Sequence, residues 1–227
     1  MRPGPGMVRL VWITTLFLAL IGIAVVARRV VFFLGPAPAA VSPRFSEGAA
    51  VDANFAPHAV LTMVHILPGL LFMVLGPLQF VPSLRRRRPA LHRWMGRVFL
   101  VASLIVGVTA LMMGPQLAIG GVNETVATML FATLFLVSLG KAYVSIRRGR
   151  VAEHREWMIR AFAIGLAVAT IRPIVGVFFA TRRLTHLTPH DFFGTAFWLG
   201  FTLQAIVAEV WINVTRRSPA ARPSLTS

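Results

Sequence analysis

Residues 91–99 read LHRWMGRVF and residues 153–162 read EHREWMIRAF, each at the entrance to a long apolar run. The shared element is Trp-Met-x-Arg, with Trp94, Met95 and Arg97 in the first copy and Trp157, Met158 and Arg160 in the second. His92-Arg93 and His154-Arg155 stand just before them. Working outward, the apolar run preceding each phrase carries a glycine near its end, Gly76 and Gly140. The simplest reading is a duplicated unit of two helices, the second and third spans matching the fourth and fifth. Both units enter from the same side and return to it, so the repeat is parallel, about an axis along the membrane normal.

The chain has 227 residues, 56% of them hydrophobic and 13% charged, and a mean hydropathy of +0.74. That is too apolar for a soluble domain of this length, so the solvent is lipid. A helix needs about 20 consecutive apolar residues to cross a hydrocarbon core. Six stretches qualify, roughly residues 10–34, 59–82, 95–114, 123–146, 157–180 and 192–215. The expected fold is all-α, a polytopic transmembrane helical bundle of six spans. A net charge of +16 would suggest nucleic acid in a soluble protein. Here the arginines lie in short clusters between apolar runs, where they set orientation and meet anionic headgroups, so nucleic acid is disfavoured as a partner. There is no cysteine, which excludes disulfides, thiolate catalysis, iron–sulfur ligation and thiolate zinc sites. Any redox role would use a bound cofactor.

Short loops rich in Lys and Arg stay cytoplasmic. The loops after the second and fourth spans hold Arg85, Arg86, Arg87, Arg88, Arg93, Arg147, Arg148, Arg150 and Arg155, whereas residues 115–122 hold no basic side chain. Those two loops are expected in the cytoplasm. Both termini follow them there, one with Arg2 and Arg9, the other with Arg216, Arg217 and Arg222. Arg28, Arg29, Arg44, Arg182 and Arg183 fall outside and are outnumbered. The Arg28-Arg29 pair interrupts the first span, whose membrane part is expected to end near Ala27. A signal peptide cleaved near the APAA of residues 37–40 is the alternative, against which the apolar run is longer than the usual h-region. Three regions result: residues 1–57, an anchor and a long external loop; 58–180, a four-helix core holding the duplicated unit; and 181–227, a last helix with a basic cytoplasmic tail.

Topology explains part of the repeated phrase, since Trp favours the interface and Arg the cytoplasmic edge. Trp and Arg three residues apart share a helix face, where the guanidinium can rest on the indole. Topology does not require the two histidines, nor Arg97 and Arg160 a turn or more inside their spans. Two arginines at that depth point to an anionic partner. The two phrases, with VHILPGLLFMVLGPLQF at 64–80 and ATIRP at 169–173, resemble a bacterial family of predicted membrane proteins, domain of unknown function 2306. The resemblance runs from about His58 to Ala180. It implies a multi-pass protein of the bacterial inner membrane, with recurring polar positions at His65, Gln79, His92, Arg97, His154, Arg160 and Arg172, and it implies no activity.

A rise of 1.5 Å per residue ranks polar side chains by depth, and groups at unlike depths cannot share a site. Gln79, Arg97, Lys141, Arg160 and Glu209 fall about 9 to 14 Å to the cytoplasmic side of their midpoints, a candidate ligand-binding inner level. His65 and Arg172 fall about 6 to 8 Å to the other side, a candidate outer level. Glu209 is read as the only acid within a span, so pairing with Arg97, Arg160 or Lys141 would lower its cost. Arg172 should be a poor partner for it. Pro173 after Arg172 and Pro68 after His65 each remove a helical hydrogen bond, so broken helices are expected to face each other at the outer level.

Three function classes stay open. A haem b or quinone protein would use the histidines and the basic inner level. Depth opposes paired axial ligands, because His92 and His154 lie about 20 Å from the midplane and His65 has no second histidine at its level. A carrier or binder of an anionic small molecule or lipid headgroup would use the surplus arginine, and six spans would favour a homodimer. A non-catalytic component of a membrane complex would use small residues such as the GLAVA of 165–169 for close helix packing. His58, His186, His190 and Asp191 form a weak candidate metal cluster, and no catalytic residue is assigned.

Overall fold

The computed structural model describes residues 3–35, 51 and 53–216. Arg2, Arg44, Arg217, Arg222, the APAA stretch, most of the long loop and the basic tail lie outside the described residues. The described chain is all-helical: α1 (Pro5–Leu34), α2 (Ala59–Gln79), a short α3 (Pro82–Arg87), α4 (Pro89–Leu117), α5 (Gly121–Arg147), α6 (Val151–Thr185) and α7 (Pro189–Thr215). All but α3 are long and apolar enough to span a membrane, six spans in total. In lipid every backbone amide needs an internal partner, and a helix supplies it from its own segment.

Local chemistry sets the boundaries. Pro82, Pro89 and Pro189 open α3, α4 and α7, where a missing N–H costs nothing. The α7 start is also closed by a capping box, in which Thr188 N–H donates to Asp191 Oδ2 at 2.8 Å and the Thr188 hydroxyl to the same oxygen at 2.6 Å. Gly149, with φ of +71°, makes the tight reversal from α5 into α6, a conformation that a side chain would strain.

Helix α1 continues past the Arg28-Arg29 pair and runs unbroken to Leu34. Arg29 is buried, with its guanidinium carbon 4.1 Å from the centre of the Phe55 ring, a cation–π contact that shelters the charge. One expectation changes here: the prolines do not break their helices, since α2 is continuous through Pro68 and α6 through Pro173. Each loses one backbone bond while the turns on both sides hold it helical.

Helix α1 packs on α2 and α6, α2 on α4, α4 on α5, and α5 on α6, closing a ring; α7 lies outside it against α5 and α6. The centre of the ring is filled with phenylalanine. Phe72 of α2, 2% exposed, stacks on Phe99 of α4 at 5.0 Å and on Phe162 of α6 at 5.5 Å, and meets Phe135 of α5 edge-on at 5.9 Å. Glycines make room for these rings: Phe162 seats against Gly76, and Phe72 against Gly165. Lipid gives little hydrophobic drive between helices, so such close van der Waals packing is what holds them together.

Candidate functional site

The basic end of the bundle is where α2 and α5 finish and α4 and α6 begin, and the two phrases meet there. His92 and His154 lie within electrostatic reach of one another. Beyond that, their surroundings differ.

In the second copy His154, Arg155, Glu156 and Arg160 all have partners. Arg160 holds Glu209 of α7 in a two-pronged ion pair, Nε to Oε1 at 2.5 Å and Nη2 to Oε2 at 2.9 Å. The Trp157 indole is flanked by the Arg160 guanidinium and the Lys141 ammonium, each 4.5 Å from a ring centre. Glu156 accepts from Arg216 at 2.9 and 2.8 Å, and Arg155 donates to the Thr215 hydroxyl at 2.9 Å. The His154 Nδ1–H donates to the Ala142 carbonyl at 2.8 Å. The phrase thus ties α6 to α7 on one side and to α5 on the other.

In the first copy the same residue types face outward or lack partners. Trp94 is 60% exposed, and Arg93 and Arg97 are exposed. No described carboxylate pairs with Arg97, and its guanidinium does not rest on Trp94. His92 Nδ1 and Gln79 Nε2 are buried without a hydrogen-bond partner among the described residues. Gln79 ends α2 and lies against α4 at Gly96, where an added Cβ would stand 3.2 Å from its Oε1. His92 is one turn earlier on that face of α4, within electrostatic reach of Arg85 and Arg93.

The five expected inner residues therefore divide. Lys141, Arg160 and Glu209 form one chain through Trp157, whereas Gln79 lies at the α2–α4 junction and Arg97 is exposed on α4. Of the three bases considered for Glu209, Arg160 takes it.

At the opposite end, His65 and Arg172 lie within electrostatic reach of one another. Thr109 directs its hydroxyl proton to the Ile105 carbonyl at 2.6 Å, so its oxygen accepts the His65 Nδ1–H at 2.8 Å. Sequence reasoning missed one charged member of this end. Glu124, 7% exposed, accepts the Gly120 N–H at 2.7 Å and lies near Arg172; it stands in the first turn of α5, so Glu209 is not the only acid within a candidate span. Position in the fourth apolar stretch was the available signal for Glu124. Among the described residues no three His, Asp or Glu side chains gather as a metal site, so His58, His186, His190 and Asp191 do not assemble.

Six long apolar helices, five of them closed around aromatic rings, with basic loops gathered at one end, define a polytopic helical membrane protein. A family model described as predicted membrane protein, domain of unknown function 2306, matches residues 62–212. The chain belongs to that family. The match includes α7, beyond the limit near Ala180 that the motifs alone suggested. No curated protein and no solved structure matches the chain.

Proposed function

We propose that the protein binds or carries a small anion, of the phosphate or carboxylate class, at the α2–α4 junction of the basic end. The observation that carries this reading is the pair of buried, unpartnered polar atoms, Gln79 Nε2 and His92 Nδ1, on the two helices that flank the arginine loop. A buried polar group left unsatisfied costs about 1–3 kcal/mol, and an oxyanion accepting from both would remove that cost. Arg85 and Arg93 lie close to His92, and Arg97 has no described acid to neutralise it. Counting basic residues assigns this end to the cytoplasm, in a bacterial inner membrane, and six spans favour a homodimer for any carrier. The geometry lends nothing to a haem or quinone at the midplane, where Phe72, Phe99, Phe135 and Phe162 fill the space between helices.

The test is thermal unfolding in mild detergent with inorganic phosphate or succinate at fixed ionic strength. Stabilisation that is lost in Gln79→Ala and weakened in Arg97→Gln supports the reading. Equal stabilisation of all three proteins, or none by either anion, overturns it and leaves a non-catalytic complex component as the better description.

A further inference from the structure

A second feature of the basic end lies on the other side of the bundle, between α5 and α6. A cleft of about 350 Å³ is lined by Lys141, Ser145, Arg148, Arg150, Glu153 and Trp157, among others. Its cations outnumber its acids. Glu153 is engaged by Arg150 at 3.5 Å and by the Ser145 hydroxyl at 3.4 Å, while Lys141 and Arg148 have no described carboxylate partner. Gly140 forms an open wall, with nothing within 4 Å of where its Cβ would stand.

The surface leading to this cleft is apolar. Val126, Leu130, Leu134 and Val137 of α5 are 50%, 44%, 42% and 46% exposed, and their three- and four-residue spacing continues through Lys141 and Val144 to Arg148. These positions form one stripe along the helix. From Val126 to Lys141 the stripe rises about 22 Å, more than the roughly 15 Å half-thickness of a hydrocarbon core. An apolar track that ends in two cations beside an interfacial indole matches an amphiphile with a negative head and a long tail.

We infer that this cleft holds the headgroup of an anionic glycerophospholipid. The phosphate sits between Lys141 and Arg148, Trp157 lies at the glycerol level, and an acyl chain follows the α5 stripe. The site shares no residue with the Gln79–His92 junction, so the two stand or fall separately. A free phosphate offers the cations the same chemistry but makes no use of the stripe.

Native mass spectrometry of the full chain, exchanged into detergent with phosphatidylglycerol, phosphatidylcholine or inorganic phosphate, tests the assignment. Wild type should retain phosphatidylglycerol, and the Lys141→Gln/Arg148→Gln double variant should bind it roughly 25-fold more weakly, about fivefold for each charge removed near the surface. The charge-conserving Lys141→Arg/Arg148→Lys protein should bind as wild type does, which separates loss of charge from loss of fold. Arg97→Gln should retain the lipid in full. Equal retention by wild type and the Gln variant overturns the inference, as does retention of phosphatidylcholine as strong as that of phosphatidylglycerol. Displacement of phosphatidylglycerol by an equal concentration of inorganic phosphate would overturn the lipid in favour of a free anion.

Discussion

Trp94 and Trp157 occupy the same place in the same phrase, yet one is 60% exposed and the other is held between two cations. The difference comes from their neighbours. Helix α6 has α7 alongside, and α7 brings Glu209, Thr215 and Arg216 into reach of Arg160, Arg155 and Glu156. Helix α4 packs on α2, α3 and α5 and has no such partner helix. Of the two like phrases, the one beside an additional helix has its polar residues engaged as structural ties, whereas the other leaves His92 Nδ1 without a described partner.

The largest expected contrast is between the two matched glycines. Gly76 gives its open side to the Phe162 ring, while Gly140 faces empty space. Gly76→Ala should destabilise the folded protein in detergent by about 1–3 kcal/mol, since the ring cannot retreat inside a filled centre. Gly140→Ala should be neutral or stabilising by up to about 1 kcal/mol, as helix propensity predicts. Equal effects in chemical unfolding would mean that the two environments are alike after all.

A smaller contrast concerns the arginines. Glu209→Gln removes one side of a two-pronged pair whose members are 22% and 50% exposed. Partial exposure moderates the loss to about 1 kcal/mol, with α6 and α7 separating more readily in hydrogen exchange. Arg97→Gln should change stability by less than about 0.5 kcal/mol, because no described group depends on it. If Arg97→Gln proved the more damaging of the two, the first copy would be the structural one.

The spans were legible because lipid forces long apolar runs, and their number follows from composition. The shared depth of Lys141, Arg160 and Glu209 was legible from helical rise. Which arginine would take Glu209 was not, because that depends on where α7 docks, and α7 carries neither phrase. The phenylalanine centre was within reach: each phrase continues to Trp-Met-x-Arg-x-Phe, ending in Phe99 and Phe162, and both rings stack on Phe72. In each phrase the charged residue suggests function, while the ring two residues on holds the helices together. The burial of Arg29 was not legible for a related reason, since its aromatic shelter, Phe55, comes from a later segment of the chain.

The smallest contrast is the most informative. His154 donates to the Ala142 carbonyl, so His154→Ala should cost about 1 kcal/mol, the net worth of one hydrogen bond, and should leave anion binding at the other copy intact. His92→Ala removes an imidazole whose Nδ1 is buried without a described partner. In the unliganded protein that change should be neutral or slightly stabilising, because the group removed was unsatisfied. In the presence of phosphate the order should reverse, with wild type stabilised and His92→Ala not. Thermal unfolding of both variants, with and without the anion, reads all four quantities. A His92→Ala protein that is destabilised without ligand would show that the imidazole already supports the fold, and the functional distinction between the two copies would disappear with it.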